Sequence, residues 1–166
     1  MICYKPNIYI CCITVIRKVN KSDTETVISL AEASGLFNSD GINQIRERLD
    51  DYERGNKDLW FIAVSEQPVG VVYCAPEPMT DGTWNILMLL VSPDAQGQGY
   101  GRSLMNHVEE ILRSSSARLV IVETSSVDGF ERARAFYPKC GYTLEARIRN
   151  FYTAGDDKVV FSKQLT

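Results

Sequence analysis

The stretch that most constrains this chain is residues 89–112, LLVSPDAQGQGYGRSLMNHVEEIL. An apolar, strand-like run stops at Ser92-Pro93. Gly97, Gly99 and Gly101 then alternate with larger residues, and a helical pattern follows at once, with Leu104, Met105, Val108, Ile111 and Leu112 at helical spacing. Glycine loses more conformational freedom on ordering than any other residue. Three of them between a buried strand and a helix therefore mark a place that needs bare backbone. Small residues let consecutive N–H groups approach an anion closely, and the helix that follows aims its own free N–H groups and positive dipole end at the same spot. The segment suits a pyrophosphate. It is not a P-loop, because the position five before Gly101 is Gln96. It is not a dinucleotide fingerprint, because Gly97-Gln98-Gly99 is followed at position 102 by arginine.

The remainder of the chain supplies alternating elements around this loop. Ile13, Val15 and Val19 alternate with Thr14 and Lys18 as in a half-buried strand. Ser22-Asp23-Thr24-Glu25 has capping-box spacing with Ser22 as N-cap, and the helix it opens carries Val27, Leu30, Ala31 and Ser34 on one face before Gly35 ends it. A second helix is expected over 40–54, with Ile42, Ile45 and Leu49 inward and Gly55 at its end. LWFIAVSE and PVGVVYCA read as a hairpin about Gln67-Pro68, and TWNILMLLV as a longer strand. RLVIVETS should lie parallel to that strand, since a helix joins them. A short helix over 130–137 and two final strands turned at Ala154-Gly155-Asp156 complete the order β-α-α-β-β-β-α-β-α-β-β. The class is α/β (α+β) with a mixed sheet.

Length allows one domain: 166 residues bury a sizeable core but do not comfortably divide into two. We expect residues 12–166 to form it and residues 1–11 to be an N-terminal extension. The apolar run at residues 8–16 is too short for a membrane helix. Net charge is −3, which argues against a nucleic-acid partner. Five cysteines without a C-x-x-C pair read as reduced thiols in a cytoplasmic protein. His107 is the only histidine, which excludes a multi-histidine metal site; no metal is expected.

Gln96-x-x-Gly99-x-Gly101, with a strand before it and a helix after it, resembles the glycine loop of the GNAT superfamily of N-acetyltransferases. ARAFYPKCGY is similar to that family's later signature, a short helix bearing Phe-Tyr and leading to Gly-Tyr. The order of elements matches along roughly residues 12–165. The resemblance implies a sheet splayed at the cofactor site, with acetyl-CoA as co-substrate. It places the pantetheine arm against the main chain of about Leu89, Leu90 and Val91, a backbone N–H near Leu90 on the thioester carbonyl, and the phosphates on Gln96, Gly97, Gln98, Gly99, Tyr100, Gly101 and Arg102. Tyr137 is then the candidate general acid toward the departing thiolate. The run TWNILMLLV contains no acid, so Glu123 on the next strand is the candidate general base, against an alternative role in an ion pair at the edge of the sheet. The family's asparagine at the start of the last helix has no counterpart here, leaving Asp128, Ser126 or no residue in its place. Pro138 is expected to end or bend that helix at Tyr137. Trp60, Phe61 and Trp84 should build core or line the acceptor cleft, Cys74 and Cys140 should be buried, and His107 should be structural or face solvent. Asp156-Asp157 lies in the final hairpin, which the resemblance places beside the acceptor site; the pair reads as a solvated turn, with attraction of a cationic amine as the alternative.

The activity implied is acetyl transfer from acetyl-CoA to a primary amine, on a small molecule or a protein, by direct attack in a ternary complex. A non-catalytic acyl-CoA-binding module is the alternative. Members of the family are often dimers, so a homodimer is open; no membrane partner is expected.

Overall fold

The structure, a computed structural model, describes residues 14–165; the expected extension at 1–11, with Cys3 and Cys11, lies outside the described residues, as does Cys12. In chain order the elements are β1 (Val15–Lys18), α1 (Thr24–Ser34), α2 (Ser39–Glu53), β2 (Leu59–Val64), β3 (Pro68–Pro76), β4 (Thr83–Val91), α3 (Tyr100–Ser114), β5 (Leu119–Ser125), α4 (Glu131–Lys139), β6 (Thr143–Thr153) and β7 (Asp156–Gln164). The seven strands form one sheet in the order β1-β2-β3-β4-β5-β7-β6. Every neighbouring pair is antiparallel except β4 and β5, which the α3 crossover makes parallel, as expected.

Two cores lie on the two faces of the sheet. One joins Leu104, Met105, Val108 and Leu112 of α3 to Ile86, Val120, Val122, Val159 and Phe161, and takes in Phe61 and Cys74. The other joins Val27, Ile28 and Ala31 of α1 and Leu49 of α2 to Trp60, Ile62 and Val71. Trp60 stacks on Tyr73 at 4.1 Å between centroids, and the Tyr73 hydroxyl donates to Asp58 at 2.8 Å. Trp84 packs against the first core, so these aromatics are structural. His107 meets the Phe61 ring edge-on at 4.7 Å. Cys74 and Cys140 are buried thiols, and burial pushes both up in pKa.

Three local expectations are corrected. The capping box belongs to the 3-10 turn Lys21–Asp23 that leads into α1, and it uses Asn20, not Ser22: Asn20 Oδ1 accepts from the Ser22 N–H at 2.9 Å, and Asp23 Oδ2 accepts from the Asn20 N–H at 2.9 Å. Asp23 is held there by Arg17 at 2.6 Å, while Glu25 turns to Arg46. On α3, Ile111 is 39% exposed, and Glu109 takes the buried position instead, its Oε2 accepting from Lys163 at 2.7 Å and Arg113 at 3.2 Å. On α4, Pro138 does not end the helix at Tyr137. The helix runs to Lys139 with the proline in its last turn, and the N–H groups of Cys140 and Tyr142 return to the carbonyl of Tyr137 at 2.9 and 3.1 Å. Near a helix end a proline forfeits only one intrahelical bond, which tertiary packing offsets.

Candidate active site

The strands β4 and β5 pair only from Thr83↔Leu119 to Ile86↔Val122, although both run on, to Val91 and Ser125. From Leu87 onward they part. A register shift opposite Tyr73 and Cys74 leaves Leu87 without a partner on β3 at the point of departure. A bulge of this kind bends a strand and increases its twist. The result is a gap in the middle of the sheet, open on the β5-facing side of residues 87–91.

The register decides which backbone groups face that gap. The Ser92 N–H donates to the Val69 carbonyl at 2.8 Å, which makes Val69–Ser92 a hydrogen-bonded pair. Alternation along an antiparallel ladder then makes Val71–Leu90 the next such pair. The N–H and C=O of Leu90 therefore point to β3, and those of Leu89 and Val91 point into the gap. A backbone N–H near Leu90 that faces the gap is thus that of Leu89 or Val91.

A cleft of about 590 Å³ begins at the gap. It is lined by Leu89, Leu90, Val91, Gln96, Gly97, Gly99, Tyr100, Gly101 and Arg102, and by Tyr137, all expected site residues. Gln98 is not among the lining; its side chain instead donates to the Asp94 carbonyl at 3.0 Å. The glycines differ in backbone geometry. Gly97 (φ +80°) and Gly99 (φ +93°) sit in the left-handed region, where a Cβ is strained. Gly101 has ordinary helical geometry, and a Cβ there would make an ordinary van der Waals contact with the Phe136 ring at 3.4 Å. Gly99 caps α3 without a side-chain acceptor. The N–H groups of Tyr100, Gly101 and Arg102 are the free donors of the first turn, which begins its ladder at Ser103 N–H to Gly99 O, 3.0 Å.

Two cationic residues in this cleft, Arg132 and Lys139, went unread in the sequence. Their signal is present: Arg132, Phe136 and Lys139 are spaced i, i+4, i+7, one face of a helix. Arg102 is partly committed elsewhere, donating to the Lys139 carbonyl at 2.7 Å and so tying α3 to the end of α4.

Tyr137 is buried, with Phe136, Tyr142 and Phe161 around its ring at 5.5–6.1 Å. Burial pushes its phenol up to about 12, and among the described residues its hydroxyl has no hydrogen-bond partner. It is thus a protonated donor that borders the cleft with its proton uncommitted. Glu123 lies elsewhere. It is the first β5 residue past the last β4 pair, and alternation turns it away from the face on which Val120 and Val122 meet α3. Its Oε2 is 2.7 Å from Lys158 Nζ. The ion pair weighed for Glu123 is present, in the interior of the sheet rather than at an edge, because β5 lies between β4 and β7. Tyr137 and Glu123 therefore stand on opposite faces, with the gap between them.

The helix start at Ser126–Asp128 is organised without an asparagine. Arg134 donates to the carbonyls of Ser125 and Val127 at 2.7 and 2.8 Å. Asp156 accepts from Ser125 Oγ at 2.6 Å and from the Ser126 N–H at 3.1 Å, and Asp157 pairs with Arg147, so these two aspartates clamp the final hairpin instead of standing free in solvent.

A splayed mixed sheet with a glycine cradle at a helix N-terminus in its gap defines a protein of the acyltransferase class. The profile of the Acetyltransferase (GNAT) family matches residues 27–142. The chain belongs to that family, whose general activity is acetyl transfer from acetyl-CoA. It is similar to the 5-NmdU N-acetyltransferase of Pseudomonas phage PaMx11, 25% identical over 130 residues that cover 78% of this chain and 87% of that one. A crystal structure of a protein assigned to the GNAT family from Desulfovibrio desulfuricans matches with TM-score 0.88 and 27% identity, over 93% of this chain and 100% of that one. An aminoglycoside 6'-N-acetyltransferase complexed with coenzyme A shares the fold, with TM-score 0.74 and 15% identity over 92% and 97% of the two chains. Among the described residues no helix is long and apolar enough to cross a membrane.

Proposed function

We propose that this protein transfers the acetyl group of acetyl-CoA to a primary amine by direct attack in a ternary complex. The observation that carries the reading is the parting of β4 from β5 after Ile86–Val122, directly above a cleft floored by the glycine loop and the N-terminus of α3. The N–H groups of the loop and of Tyr100 to Arg102 take the pyrophosphate, with Arg132 and Lys139 adding positive charge. Leu89 and Val91 offer backbone groups to the pantetheine arm, and an N–H facing the gap polarises the thioester carbonyl.

The two sheet faces then divide the proton work. The amine approaches from the Glu123 face and its nitrogen forms the new C–N bond. Glu123 takes the proton that the amine must lose, directly or through one water. On the other face Tyr137 gives its proton to the sulfur as the C–S bond breaks. The acceptor is an amine of a small molecule or a protein, in keeping with the N-acetyltransferase names of the phage relative and of the aminoglycoside enzyme, and the reduced Cys74 and Cys140 suit a cytoplasmic setting. Incubation with acetyl-CoA and a panel of primary amines, read by release of free thiol and by acetylated product, tests this. Amine-dependent release supports it. Binding of acetyl-CoA without transfer to any amine would instead support a non-catalytic acyl-CoA-binding module.

A further inference from the structure

The β5–β7–β6 half of the sheet carries, on the face turned away from α3 and α4, a cation that the mechanism above does not use. Lys158 lies on β7 beside Val159 and Phe161, of which Val159 and Phe161 turn into the α3 core and Lys158 turns the other way with Glu123. Its Nζ is 2.7 Å from Glu123 Oε2 and 3.7 Å from the centre of the Phe151 ring. The side chain is only 13% exposed, and that of Glu123 29%. A carboxylate on one side and an aromatic face on the other is a recognition set for a primary ammonium: the carboxylate meets charge and N–H donors, and the ring quadrupole meets the remaining charge. The set stands where β5 leaves β4, at the mouth of the gap. Its present occupant is an ammonium on a flexible four-carbon stem supplied by the chain itself.

We propose that the Glu123 carboxylate and the Phe151 ring form the ammonium subsite of the acceptor pocket, and that Lys158 is its resident cation, displaced when an acceptor's ammonium enters. The proposal rests on the acetyltransferase reading, which assigns this side of the gap to the amine. Lys158 acts as a self-supplied plug. It keeps Glu123 paired while no acceptor is present, and it sets a threshold, since an acceptor must bind better than the lysine it replaces. Displaced, the Lys158 head returns to water, and one ammonium has been exchanged for another with no net change in charge at the carboxylate. The ligand class is an alkylammonium with an unbranched aliphatic stem.

The test uses n-butylammonium as probe on the full chain without acetyl-CoA, followed by backbone amide shifts at Glu123 and Phe151. Lys158→Met keeps the apolar stem and empties the subsite. We expect the probe to bind this variant at least about tenfold more tightly than the wild type, and the Glu123→Gln/Lys158→Met double variant to lose that gain. Equal affinity in wild type and Lys158→Met, or a gain that survives in the double variant, overturns the proposal. Should Lys158→Met fail to fold, the wild type alone decides: the Lys158 Cε resonance should move to its solvent-exposed position as the Glu123 amide saturates, and an unmoved resonance at saturation overturns the proposal. Calorimetry of the wild type with acetyl-CoA reports the acetyltransferase reading separately, since that ligand's cleft lies against α3 and α4.

Discussion

Replacing Tyr137 by phenylalanine separates chemistry from packing at one position. The ring is held by Phe136, Tyr142 and Phe161, and all three contacts survive the change. The hydroxyl has no partner to lose among the described residues, so removing it should alter stability by less than about 1 kcal/mol. In a domain of this size that is a melting shift of no more than about 4 °C. The proton on that hydroxyl is what the proposed step uses. General-acid assistance is worth roughly 10²–10⁴ in rate, and a thiolate is a good leaving group, so the lower end applies: a fall in kcat of about a hundredfold, or ~2.7 kcal/mol of barrier. The KM for acetyl-CoA should hold. The pH profile adds a second readout. Because burial raises the phenol to about 12, it keeps its proton through the range in which an ordinary tyrosine titrates. This group should therefore impose no alkaline loss of kcat below about pH 11. The assay is steady-state thiol release with whichever amine the panel identifies, with melting curves on the same samples. A phenylalanine variant with undiminished kcat would refute the argument, as would an activity loss that merely follows a fall in melting temperature.

Further outcomes follow from particular contacts. Gly70→Ala would place a Cβ 2.8 Å from the Leu90 carbonyl and 3.2 Å from Leu104; we expect a loss of about 1–3 kcal/mol in urea unfolding and weaker acetyl-CoA binding as β4 is pushed, and a variant unchanged in both would contradict the register given for this strand. Lys163→Met leaves the buried Glu109 with Arg113 alone and the Cys140 carbonyl without its donor; a loss of about 3 kcal/mol is expected, partly restored by adding Glu109→Gln, and the absence of any restoration would show that Glu109 is not the stranded group. Asp23 is held below its usual pKa, chiefly by its hydrogen bond from Arg17. A depressed carboxylate contributes stability above its unfolded value that is lost as pH falls through the folded value. Asp23→Asn should thus cost about 1–3 kcal/mol at neutral pH and less below about pH 4, and a penalty independent of pH would count against this.

What could be read from the chain divides by range. Gly97, Gly99 and Gly101 announced themselves because turn chemistry and a helix start are local, and so did the βαβ crossover, because the helix between β4 and β5 fixes their direction. The reasons for the glycines were only partly legible: Gly97 and Gly99 serve left-handed backbone, while Gly101 has ordinary helical geometry and neighbours Phe136, thirty-five residues away in sequence. Which backbone N–H near Leu90 faces the gap was not legible. Parity along a strand flips with a single shift, and the bulge at Leu87 and the pairing of Ser92 with Val69 are visible only in the assembled sheet. Glu123 was singled out as the remaining carboxylate, but its partner Lys158 was not foreseen, since their meeting depends on the β5–β7 register, and the contact of Lys158 with Phe151 depends on the final hairpin. Ser22 yielded to Asn20 because Arg17 fixes Asp23 from outside the local pattern.

The central claim is that the loop from Gln96 to Arg102 exists to hold a pyrophosphate, and it can be tested from the ligand side without altering the protein. Calorimetric titration with acetyl-CoA, repeated with acetyl-pantetheine, which lacks the nucleotide and its pyrophosphate, is the measurement to make. The account predicts saturable binding of acetyl-CoA and affinity for acetyl-pantetheine weaker by at least about a hundredfold, or ~2.7 kcal/mol. Equal affinity for the two, or no binding of acetyl-CoA, would contradict it.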